Sequence, residues 1–102
     1  MPIKISHEGV AITERFFEAI DLLIASRQLR GFKTFTSRYD VNRRNLRHVQ
    51  LNPQNAVLKP ELLAILARDF NISSEWLLLG TGTMFYQKND SSQISTPKSD
   101  NI

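Results

Sequence analysis

The chain has 102 residues, 41% of them apolar, no cysteine and a formal net charge of +3. That length predicts one domain with a small core, and the missing cysteines exclude disulfides and thiolate metal sites. The charge is unevenly spread: from Arg27 to Lys59 there are eight basic residues and one acid, Asp40, against five basic and nine acidic residues elsewhere. Separation of this kind builds a local positive field, as a binder of polyanions requires.

Residues 1–12 read as an N-terminal extension. The start, MPIKISHEGVAITERFF, holds no apolar run of signal-peptide length. Nothing approaches the ~20 consecutive apolar residues of a membrane span, so a soluble cytoplasmic protein without a membrane partner is expected. The first helix is predicted from Glu14 to about Gln28, with Thr13 as its cap and Ile12 and Phe17 at the spacing of a hydrophobic staple. Phe16, Phe17, Ile20, Leu23 and Ile24 form one helical stripe. Glu14, Glu18 and Asp21 lie on or near the other side and read as solvated carboxylates rather than acid–base catalysts.

Gly31 interrupts this pattern. A second helix, about Phe32 to Tyr39, would bury Phe32, Phe35 and Tyr39, and a third would run from Arg43 to about Gln50 with Asn42 as its cap. Asn52-Pro53 ends it, because proline disfavours helix in the residue before it. The fourth helix starts at Pro60, where a missing N–H costs nothing. It offers a wide apolar face of Leu62, Leu63, Ile65, Leu66, Ala67 and Phe70. Ser73 caps a fifth, Ser74 to Leu79, and Gly80 can end it in a left-handed conformation. Residues 87–102, QKNDSSQISTPKSDNI, nearly lack apolar anchors and are expected to form a disordered polar tail. No alternation supports a strand, so the fold class is all-α with five helices.

The third helix carries the chemistry. Arg43, Arg44, Arg47 and His48 fall within six residues. On a helical wheel Leu46 and Val49 point together to the core with Val41, and Arg44 and His48 fall nearly opposite. Arg47 lies beside that outward face, Arg43 and Asn45 flank it, and Leu51 follows just past the helix. The apolar minority fixes the helix to the body, and the basic majority forms a ridge of donors. Arginine pairs with two acceptors at once on guanine or phosphate, asparagine does so on adenine, and a helix fits the major groove of double-stranded DNA. Arg43, Arg44, Asn45, Arg47 and His48 are therefore the expected base or groove contacts, with Asn42 as the cap. The N–H groups of Phe32 and Lys33, the Lys33 side chain, and Asn52, Gln54 and Asn55 are the expected phosphate contacts.

From about Thr13 to Phe85 the chain resembles the phage-repressor-like helix-turn-helix domains, the lambda-repressor-like five-helix DNA-binding family. Where that family has a turn such as L-G-I-S, this chain has Tyr39-Asp40-Val41-Asn42. Phe35, Tyr39, Val41, Leu46 and Val49 match the family's buried positions, and Thr36 stands where a small residue is usual. Residues 72–85, ISSEWLLLGTGTMF, resemble the family's fifth helix and exit, N/S-x-E-W-L-L-x-G-x-G-x-M. The resemblance implies residues 13–86 as a helix-turn-helix domain and a transcriptional regulator, a repressor of the phage type, working as a homodimer. Leu77, Leu78, Met84, Phe85 and Tyr86 are its candidate dimer contacts. Asp40 departs from the usual glycine of the turn, though aspartate tolerates positive φ better than most residues. Many relatives continue into a sensor or self-cleaving domain, which residues 87–102 are too polar to build.

Other motifs carry less. Gly80-Thr81-Gly82 lacks the preceding strand of a dinucleotide site and reads as a helix end. His7 and His48 have no partners at metal-ligand spacing, Trp76 reads as a core or interface residue, and no catalytic triad can be assembled. No cofactor and no enzymatic activity are expected. The alternative to a DNA-binding regulator is a protein-interaction module on the same fold, such as an antitoxin or antirepressor.

Overall fold

The computed structural model describes residues 4–86, and the expected tail lies outside the described residues. Five helices follow in order: α1 (His7–Ala25), α2 (Phe32–Arg38), α3 (Arg43–Leu51), α4 (Pro60–Asp69) and α5 (Ser74–Leu79). No strand occurs among the described residues, only one antiparallel bridge between Ile72 and Phe85. The fold class is all-α.

The first helix differs most from expectation. It begins at His7, seven residues before Glu14, because Ser6 and not Thr13 is the cap: the Ser6 hydroxyl accepts from the Gly9 N–H at 3.1 Å. Residues 7–12 are thus helical rather than an extension. Thr13 is buried inside α1, in line with Phe16, Phe17, Ala19, Ile20 and Leu23. The helix also stops earlier, at Ala25. The N–H groups of Gln28 and Leu29 both turn back to the Leu23 carbonyl, and Arg27 takes the left-handed conformation at φ 68. That return buries Leu29.

An aromatic chain organises the core. Phe16 meets Phe17 and Phe35 edge-on, and Phe35 continues to Tyr39 and Phe70. Each fully buried side chain of this size contributes roughly 1.5–3 kcal/mol. Thr36 is buried as well, and its hydroxyl is satisfied by donating to the Lys33 carbonyl at 3.0 Å. Its own carbonyl accepts from the Val41 N–H at 2.8 Å, which closes the turn between α2 and α3. Asp40 in that turn has φ 54, the left-handed region that glycine usually supplies.

Helix α5 starts at Ser73, whose hydroxyl accepts from the Trp76 N–H, and ends at Gly80 with φ 75. The Arg15 guanidinium reaches across from α1 and donates to the carbonyls of Leu77 (2.9 Å) and Leu78 (3.1 Å). The exit then folds back over the start of α5: Ser73 N–H donates to the Met84 carbonyl, and Tyr86 N–H to that of Asn71. Leu77 is 1% exposed, and Met84 and Phe85 pack half-buried against the chain's own core. Leu78 and Tyr86 remain exposed.

Candidate nucleic-acid interface

Helix α3 is set by one cap and two anchors. Asn42 is extended (φ −69, ψ 112), and its side-chain oxygen accepts from the Asn45 N–H at 3.0 Å, as expected of a cap. Leu46 (3% exposed) and Val49 (8%) hold the helix against the core. Arg43, Arg44, Asn45, Arg47 and His48 are all exposed, and with Asn42 and Leu51 they border one open concave face. The only ion pair among the described residues is Arg68–Asp69. Among the described residues none of the eight basic residues between Arg27 and Lys59 forms an ion pair with a carboxylate, so this segment keeps a positive field.

The donors of the ridge are not equivalent. Among the described residues, the side chains of Arg43, Arg44 and Asn45 make no hydrogen bond. The Arg47 guanidinium instead lies over the Phe32 ring, 4.1 Å from its centroid, and its Nη1 donates to the Gln50 side-chain oxygen. Phe32 itself lies near-parallel to Phe17 of α1, ring centroids 6.5 Å apart. His48 Nδ1 sits 3.3 Å from the Asn52 amide nitrogen.

The expected phosphate contacts divide similarly. Lys33 is exposed in the first turn of α2, and Gln54 and Asn55 are exposed in the loop after α3. The Gln54 carbonyl accepts from the Ile5 N–H at 2.8 Å, which ties that loop to the residues before α1. The Asn52 side-chain amide and backbone N–H both donate to the His48 carbonyl, which closes the C-terminal end of α3. Phe32 is half-buried, and its prominent feature is the ring rather than the N–H. Gln50 was no candidate by sequence. Its spacing of three from Arg47 on one helix flank is the signal that could have found it.

Two further surfaces adjoin the ridge in sequence. Arg27, Arg30 and Arg38 border a shallow groove with Ile24 and Thr34. Pro60, Leu63, Ala64, Ala67, Leu77 and Leu78 line an apolar groove between α4 and α5. Near the end of α4, Asp69 accepts from the Tyr39 hydroxyl at 2.7 Å and from Arg68. Arg68 first and Tyr39 second hold its carboxyl below the ordinary carboxylate range, while burial and then Asp69 push the Tyr39 phenol up. This cluster joins α2 to α4 and presents no reactive group in a pocket. Among the described residues no three His, Asp or Glu side chains gather as a metal-ion set, and no helix is long and apolar enough to cross a membrane. Comparison of the chain with family models, curated proteins and solved structures returned no match.

Proposed function

We propose that the protein is a sequence-specific double-stranded DNA-binding transcriptional regulator, a repressor of the phage type built on a lambda-repressor-like helix-turn-helix. The observation that carries this reading is the ridge of α3. Five polar side chains, Arg43, Arg44, Asn45, Arg47 and His48, project from a short helix anchored by buried Leu46 and Val49, with Leu51 exposed at its end. Among the described residues no carboxylate forms an ion pair with them, and α3 follows α2 through a turn closed by the Thr36–Val41 bond. In the proposed complex α3 enters the major groove, Arg43, Arg44 and Asn45 reach base edges, and Lys33, Gln54 and Asn55 hold phosphates.

One recognition helix reads only a few base pairs. A two-fold dimer would place two of them about 34 Å apart on a pseudo-palindrome. Leu78 (43% exposed), which lines the α4–α5 groove, and its neighbour Leu79 (64%) are exposed apolar residues that such a contact could use. The same exposed leucines favour the second reading, an interaction module that meets a different protein. Selection of bound duplexes from a random pool, followed by binding at several salt concentrations, separates the two. Recovery of one enriched motif with a steep salt dependence supports the regulator. A negligible affinity for any duplex at low salt rejects it.

A further inference from the structure

Resting on the DNA-binding reading, we infer that Phe32 positions Arg47, and that the guanidinium so held serves a backbone phosphate, leaving base edges to Arg43, Arg44 and Asn45. The stack on Phe32 draws the guanidinium away from the crest of α3, defined by Arg44, toward the first turn of α2. Base edges lie at the floor of the groove under the crest, whereas phosphates line its walls. The exposed cation Lys33 directly follows Phe32, so the ring brings Arg47 to a part of the surface already expected to face a phosphate.

The donor count points the same way. Nη1 is spent on Gln50, so the fork has lost part of the edge it would need for a two-pronged match to guanine. A phosphate, which accepts from many directions, still pairs with the free edge. Phe32 is in turn backed by Phe17 of α1, and the guanidinium is therefore ordered before DNA arrives. Ordering a long side chain in advance spares that cost on binding.

The test is a double-mutant cycle on the full chain, with the selected duplex and a scrambled one as probes. Arg47→Ala should weaken both duplexes alike, lower the salt slope by about one unit and leave base preference unchanged. Phe32→Leu should weaken both by about two- to fivefold, the worth of an exposed cation–π contact, with the salt slope retained. Phe32→Tyr, which keeps the ring face, should restore wild-type binding. In the Arg47→Ala background, Phe32→Leu should cause no further loss. A change in base preference with Arg47→Ala, or Phe32→Leu adding its full loss in that background, overturns the inference while the DNA-binding reading stands. Failure of the wild-type protein to bind either duplex at low salt removes both together.

Discussion

Arg44 offers the most direct test of the reading face. It is exposed at the crest of α3 and, among the described residues, is neither in an ion pair nor hydrogen-bonded through its side chain. Replacing it with alanine removes no intramolecular contact and introduces a good helix former, so stability should change by no more than about 0.5 kcal/mol. Binding to the selected duplex should lose about 1–3 kcal/mol, the worth of a two-pronged contact to a base edge. At roughly 1.4 kcal/mol per factor of ten, that is about a 5- to 150-fold rise in Kd. The scrambled duplex should lose much less, and the choice of base at one position should relax. Arg30→Ala is the matched control, since it removes the same charge from the α1–α2 connection. It should weaken both duplexes equally. Fluorescence anisotropy on the two duplexes at several salt concentrations, with a thermal melt of each variant, gives every quantity needed. If Arg44→Ala behaves like Arg30→Ala, losing affinity without losing preference, α3 supplies only a diffuse field and the assigned reading face is wrong.

Four further outcomes test the framework that holds this face. Arg15→Ala removes both bonds to the end of α5 and should destabilise the fold by about 1–3 kcal/mol in denaturant titration, because hydrogen bonds to a charged group are the stronger kind. Asn42→Ala should cost about 1 kcal/mol by loss of the α3 cap, and Asn42→Ser should recover most of it in the same titration. At Asp40, with φ 54, Asp40→Asn should be nearly neutral in a thermal melt, whereas Asp40→Val should cost about 1–2 kcal/mol because a branched side chain clashes there. Asp69 has a native carboxyl pKa below the ordinary value, so its contribution is present above about pH 4 and is lost as pH falls through the lowered value. Asp69→Asn should accordingly flatten the acid limb of stability against pH.

The helix borders that were legible are those marked by local chemistry. Asn42, Pro60, Ser73 and Gly80 each act through their own backbone neighbourhood, and each stands where its residue type leads one to look. The start of α1 was not legible because Gly9, three residues after the true cap Ser6, weakens the helical pattern. A Cβ on Gly9 would come within 2.6 Å of the Ile5 side chain, which would have to shift. The position of Arg47 was half legible. A wheel places it beside the crest of α3, but a wheel contains only one helix, and the ring that captures the guanidinium comes from α2. The exit was illegible for a similar reason. A single bridge between Ile72 and Phe85 has no periodicity, yet with it Met84 and Phe85 pack against the chain's own core.

A positive field and a fixed donor do different work, and the surface separates them. Eight cations between Arg27 and Lys59, none in an ion pair among the described residues, attract any polyanion, and salt screens them all alike. Selectivity requires donors whose directions are set. A nine-residue helix is not stable alone, so those directions are inherited from the burial of Leu46 and Val49 and from the Asn42 cap. Beyond the backbone, Arg47 is held and Arg43 and Arg44 are not. On the DNA reading, each free arginine loses up to about 2 kcal/mol of rotamer entropy when it settles on a base, which offsets much of what the contact contributes. A single α3 would then bind its half-site weakly, and useful affinity would depend on two copies engaging together. Leu78 and Leu79 at the end of α5 are exposed apolar residues that could join them. Leu78→Asp with Leu79→Asp should leave the fold intact and reduce footprints to a single half-site at saturation. An unchanged full-site footprint would place the contact between copies elsewhere.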